Sequence, residues 1–81
     1  MKVSVVLFAR LREIVGAPRL ERLVPDGVTA GDIWSALAAE YPALEELRGS
    51  TRLLRNGTFV EAEASLRDGD ELGLLPPYGG G

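Results

Sequence analysis

The sequence contains no cysteine and no histidine. The first absence excludes disulfide staples and thiolate metal sites. Together they remove the commonest general base, the commonest metal ligand and the strongest nucleophile. A self-sufficient hydrolase or redox enzyme is hard to assemble from the side chains that remain, so the chemistry is expected to come from a partner. Glutamine is also missing, Asn56 is the one asparagine, and Lys2 is the one lysine against eight arginines. Loss of thermolabile residues in a thermophile and a GC-rich genome each produce that bias. No apolar run approaches the ~20 residues of a membrane span. The opening Met1-Lys2-Val3-Ser4-Val5 enters a strand-like alternation at once, without the apolar stretch of a signal peptide. The expected location is the cytoplasm.

What is present suits one small domain. The chain has 81 residues, 46% of them hydrophobic, which is near the lower limit for a fold held by its own core. The net charge of −3, weighted to acidic residues in the second half, disfavours a nucleic-acid partner. A basic protein surface is the expected complement.

Residues 1–9 alternate as a first strand, with Val3, Val5 and Leu7 on one face and Lys2, Ser4, Val6 and Phe8 on the other. Residues 10–18, with Gly16 and Pro18, read as a connection to a second strand over 19–24, and Pro25-Asp26-Gly27 as a turn. Thr29, with Asp32 three residues on, caps a helix whose apolar stripe is Trp34, Leu37, Ala38 and Tyr41, next to Ile33. Pro42 ends that helix and opens a short second one through Leu44 and Leu47, closed at Gly49. Strands are expected at 52–55 and 58–62, joined by an Asn56-Gly57 hairpin turn, and at 71–75 after the Asp68-Gly69-Asp70 turn. Leu72 and Leu74 share one face of the last strand; Gly73 and Leu75 share the other. This order fits an α+β β-grasp fold: a mixed sheet of four to five strands packed on one main helix, with the first and last strands parallel. The domain is expected to span 1–75, followed by a tail over 76–81. Trp34 reads as core packing with its N–H at the rim.

The tail, Pro76-Pro77-Tyr78-Gly79-Gly80-Gly81, is the most informative segment. Two prolines hold an extended path, and three glycines remove every side chain from the tip. At roughly 3.3 Å per residue, six residues reach ~20 Å, into a channel that any Cβ would block. The carboxylate of Gly81 is a poor electrophile until it gains a better leaving group, such as the AMP of an acyl-adenylate. A sulfur nucleophile acting on that adenylate leaves a thiocarboxylate, a carried sulfur that needs no cysteine. The plain alternative is a frayed glycine end. A terminal Gly-Gly arises by chance in roughly 0.5% of chains, and the Pro-Pro before it makes chance a poorer explanation.

Three segments carry a family resemblance: Phe8-Ala9-Arg10-Leu11-Arg12-Glu13 with Gly16, Leu66-Arg67-Asp68-Gly69-Asp70-Glu71, and Pro76-Pro77 with Gly80-Gly81. The chain resembles the small subunits of molybdopterin synthase, within the wider family of ubiquitin-like sulfur carriers. Thiamin-pathway carriers share the Gly-Gly but usually lack the Pro-Pro; Tyr78 and Gly79 depart from the small or β-branched residues common there. The resemblance implies that an enzyme of ubiquitin-activating type adenylates Gly81 with ATP, and that a sulfur donor protein supplies a persulfide-derived sulfur. It implies that the tail, Pro76, Pro77, Tyr78, Gly79 and Gly80, then enters the large synthase subunit, in a heterotetramer. There sulfur passes to a cyclic pyranopterin, and the catalytic side chains are the large subunit's. No metal or permanently bound cofactor is implied, only the transient acyl-AMP and thiocarboxylate. The family's apolar docking surface maps onto Phe8, Phe59 and Leu75. Arg12 joins it as a residue able to meet an acidic partner, the alternative for Arg10 and Arg12 being solvated side chains lying along apolar surface. Asp68, Asp70 and Glu71 read as a charged turn rather than a calcium site, which prefers 6–8 oxygen ligands. A carrier for thiamin synthesis or tRNA thiolation, a ubiquitin-like protein modifier, and an interaction domain with an inert tail are the competing functions.

Overall fold

The computed structural model describes residues 1–76. β1 (Lys2–Leu7) runs into α1 (Ala9–Val15), β2 (Arg19–Leu23) and α2 (Ala30–Glu40). A 3-10 helix (Pro42–Leu47), β3 (Arg52–Arg55), β4 (Thr58–Val60) and β5 (Glu71–Leu75) follow. The five strands form one sheet in the order β2-β1-β5-β3-β4. β1 lies antiparallel to β2 and parallel to β5, as the α2 crossover between them requires. This is the β-grasp, or ubiquitin-like, arrangement.

Alternation places the core. Val3, Val5 and Leu7 of β1 and Leu72 and Leu74 of β5 are fully buried against Ile33, Trp34, Leu37 and Ala38 of α2. The helix begins where the sequence pattern puts it. Thr29 Oγ1 accepts from the Asp32 N–H at 3.1 Å, and Asp32 Oδ2 accepts from the Thr29 N–H at 3.0 Å. A cap of this kind stabilises by about 1 kcal/mol. Tyr41, just before Pro42, leaves helical geometry at φ −126°, ψ 83°.

Several expectations need correction. Residues 10–18 are not a plain connection: α1 occupies Ala9–Val15 and ends at Gly16, whose φ of +86° lets its N–H reach the Arg12 carbonyl at 2.8 Å. Leu11 is fully buried, with Ile14 and Val15 packed on the core. Two turns carry too short a stripe to outweigh the turn residues after them, and only packing on the core makes so short a helix stable. The segment after Pro42 is a 3-10 helix, closed not by Gly49 but at the Leu47 carbonyl, which accepts from Thr51 N–H at 3.0 Å and Thr51 Oγ1 at 2.8 Å. β4 stops at Val60 rather than at residue 62 because the next carbonyls are taken elsewhere. Those of Ala62 and Ala64 accept from the Gly31 and Ala30 N–H groups, satisfying the first donors of α2. The approach is close: a Cβ on Gly31 would stand 3.0 Å from that of Ala62. Trp34 packs in the core as expected, but its Nε1 is enclosed and meets no acceptor among the described residues. Such a donor costs about 1–3 kcal/mol.

Candidate functional site

The helices cover one face of the sheet and leave the other open. Strand registers show which residues share that open face. Arg19 pairs with Val6, Val6 with Gly73, Gly73 with Leu54, and Leu54 with Phe59. Directly opposed residues point the same way, so these five form a row across all five strands. Towards the chain's exit, Leu75 is opposed by Arg52.

The row divides the face in two. Towards the start of β1, charges neutralise one another: Lys2 pairs with Glu21 at 3.2 Å and Arg19 with Glu71 at 2.9 Å. These exposed pairs contribute at most about 1 kcal/mol each. Towards the end of β5 the face is apolar apart from Arg52. Phe8 is 42% exposed and Phe59 52% exposed, with Leu54 and Leu75 partly covered between them. A Cβ built on Gly73 would lie 3.4 Å from Phe8 Cε2 and 3.5 Å from Leu54 Cβ. The Phe8 ring therefore rests on bare backbone. Ala9, next to it, has a φ of +50°. A left-handed residue with a Cβ costs roughly 1–2 kcal/mol, and here it turns the chain out of β1 into α1 directly behind Phe8. Contiguous exposed apolar groups of this kind mark contact surfaces.

Of the residues picked out in the sequence, Phe8, Phe59 and Leu75 thus come together on one face, and Pro76 follows Leu75 at its edge. Arg12 sits in the last turn of α1, exposed, and forms no ion pair among the described residues. Pro77, Tyr78, Gly79, Gly80 and Gly81 lie outside the described residues. Leu54, Gly73 and Arg52 were not singled out in the sequence. The first could have been, because a two-residue Asn56-Gly57 turn sets the register that places Leu54 opposite Phe59.

A polar clasp fixes where β5 starts and hence where the tail leaves. Asn56, at φ +50° in the hairpin turn, donates from Nδ2 to Asp70 Oδ1 and accepts the Glu71 N–H, both at 2.9 Å. Asp70 Oδ2 accepts the Arg67 N–H at 2.8 Å, and Asp68 Oδ1 accepts the Lys2 N–H at 2.7 Å. The carboxylates of this turn are therefore engaged within the protein. No group of three or more potential metal ligands occurs among the described residues, and no helix among them is long and apolar enough to cross a membrane.

The clasp carries a pH dependence. The Asn56 amide first, then the Arg67 N–H, hold the Asp70 carboxyl below the ordinary aspartate value of 3.8; slight burial opposes them, and the charges of Arg55 and Arg67 assist. A lowered folded-state pKa means that the carboxylate stabilises the fold at full strength above the unfolded value and loses this as pH falls through the folded value. Urea titrations of the wild type and Asp70→Ala should therefore differ most above about pH 4 and converge at lower pH. A constant gap down to acid pH would show that Asp70 acts by packing alone.

Comparison with known proteins agrees with this fold. The sequence profile of the ThiS family matches residues 5–81. The chain is 36% identical over 81 residues to the molybdopterin synthase sulfur carrier subunit of Arabidopsis thaliana, covering all of this chain and 84% of that protein. The solution structure of small archaeal modifier protein 1 from Methanosarcina acetivorans superposes with a TM-score of 0.85 at 35% identity, covering 99% of this chain and 96% of that one. A chain in the complex of subunits 1 and 2 of molybdopterin-converting factor from Helicobacter pylori shares the fold, with a TM-score of 0.71 at 24% identity and full coverage of both chains. With the profile matched from β1 through to the last residue, the chain belongs to the ThiS family.

Proposed function

We propose that this chain is the sulfur carrier and small subunit of a molybdopterin synthase, with the carboxylate of Gly81 as its working group. The observation that carries the reading is the pairing of a side-chain-free Gly79-Gly80-Gly81 end with an apolar face at the point where β5 leaves the sheet. Full-length identity to a molybdopterin synthase sulfur carrier subunit supports it. So does the Helicobacter protein of the same fold, which was solved as a complex of subunits 1 and 2.

The chemistry follows from the tip. An oxygen of the Gly81 carboxylate attacks the α-phosphorus of ATP in an enzyme of ubiquitin-activating type, giving an acyl-adenylate and releasing pyrophosphate. A persulfide sulfur from a donor protein attacks the acyl carbon and expels AMP. A second thiol then cleaves the sulfur–sulfur bond, leaving the thiocarboxylate. The large subunit would take up the tail and direct the sulfur to the cyclic pyranopterin with its own side chains, in the cytoplasm. This chain contributes a rigid β-grasp platform, a docking face built on Phe8, Phe59 and Leu75, and a tip thin enough to enter a narrow site.

The identity to a small archaeal modifier protein favours one second reading, a modifier joined through Gly81 to amines of other proteins. One measurement separates the two. The protein is incubated with a cognate adenylating enzyme, ATP and a sulfur source, alkylated, and weighed intact. Alkylation is needed because oxidation of Met1 adds nearly the mass gained on exchanging oxygen for sulfur. With no cysteine in the chain, an alkylated species localised to Gly81 is the expected result. An unchanged mass with a demonstrably active enzyme would overturn the carrier reading, and isopeptide adducts in its place would favour the modifier.

A further inference from the structure

Leu75 ends β5, and Arg52 is its cross-strand partner on β3. Residues opposed across a sheet have Cα atoms about 4.5–5.5 Å apart. A protein that draws Gly81 into a channel must close around the chain soon after Leu75, because the six residues that follow span at most ~20 Å. Arg52 therefore stands at the mouth of whatever surface receives the tail.

Three features make Arg52 more than a bystander. Its guanidinium carbon lies 4.5 Å from the centroid of the Phe59 ring, which orients it on the docking face. It pairs with no carboxylate among the described residues. Arg48, across the same groove, is by contrast already occupied by Glu45 at 3.0 Å and Ser35 Oγ at 3.2 Å. The groove itself is a cavity of about 290 Å³ beside β4, lined by Arg48, Thr51, Arg52, Phe59 and Glu61 over Trp34. It continues the apolar face through Phe59.

A partner that covers Phe59 also strips water from Arg52. A desolvated guanidinium with no anion is costly, and a carboxylate in bidentate geometry offsets the cost best. We propose that the protein receiving the tail seats an aspartate or glutamate side chain in this groove, with its carboxylate on the Arg52 guanidinium. The inference rests on the sulfur-carrier reading and names the chemistry of its partner. It also reverses the expectation from net charge: a chain of −3 favours a basic partner at long range, while its docking face asks for an acidic group at contact.

The test is calorimetric titration of the cognate large synthase subunit with the wild type, Arg52→Met and Arg52→Glu, at low and high salt. Met keeps the aliphatic stem on Phe59 and removes only the charge. Binding should weaken about five- to tenfold in Arg52→Met and at least about a further tenfold in Arg52→Glu, and the wild type should lose affinity with salt more steeply than Arg52→Met. Unchanged thermal midpoints exclude loss of the fold. Wild-type affinity and salt dependence in Arg52→Met would overturn the inference and leave the carrier reading standing. So would self-association of the wild type that Arg52→Glu abolishes, which would assign the groove to a second copy. A wild type that binds no large subunit and takes no sulfur at Gly81 would remove both.

Discussion

Removal of Gly80 and Gly81 is expected to abolish sulfur transfer while leaving the domain folded. Among the described residues the buried core ends at Leu74. The thermal midpoint of the truncated protein should therefore match that of the full chain. The chemistry has no such tolerance. Two residues shorten the reach by roughly 7 Å, and a misplacement of only about 1 Å can cost around 10²-fold in rate. The new terminus would be Gly79, with Tyr78 behind it bringing a ring where the full chain has bare backbone. Adenylation, thiocarboxylate yield after alkylation and synthase turnover should all drop to background, at least about 10³-fold down. A truncated protein that carries sulfur at the full rate would sink the proposal and leave an interaction domain with an inert tail.

The second large effect is expected from Phe8→Asp. In the free domain Phe8 is already part-exposed, resting on Gly73, so an aspartate there can stay hydrated and the fold should survive. In the proposed complex the same carboxylate would face an apolar partner surface, and burying an unpaired charge is unfavourable. An anchor at the centre of an interface is worth about 2 kcal/mol or more, which is roughly 30-fold in Kd. Calorimetry against the large subunit measures the loss, with circular dichroism as the check on folding. Affinity equal to wild type would place the docking surface elsewhere. Leu23, the most exposed large apolar side chain among the described residues at 85%, supplies a control. It lies at the far end of the open face, opposite Lys2, and Leu23→Asp should leave binding unchanged.

Features written within a few neighbouring residues were readable from the chain alone. Period-2 alternation in β1 and β5 named the core face through Val3, Val5, Leu7, Leu72 and Leu74. Thr29 with Asp32 marked the start of α2, Pro42 its end, and Asn56-Gly57 and Asp68-Gly69 two of the turns. The glycine end named the candidate working group. Each of these signals depends on local backbone geometry, so reading it needs no knowledge of the rest of the fold. Tertiary structure decided the remainder. α1 is two turns long and stable only because Leu11 finds the core. Arg52 and Leu75, like Leu54 and Gly73, meet through the register between β3 and β5, strands that are not neighbours in the chain. Asn56 closes on Asp70 across the same pairing. Pairings of that kind are set by how the apolar faces of all five strands fit one helix at once. A slip of one residue would turn every side chain of a strand to the wrong face. The site is therefore divided between the two levels: its proposed chemistry rests on the last residues of the sequence, while the surface and charge around its base exist only once distant strands are side by side.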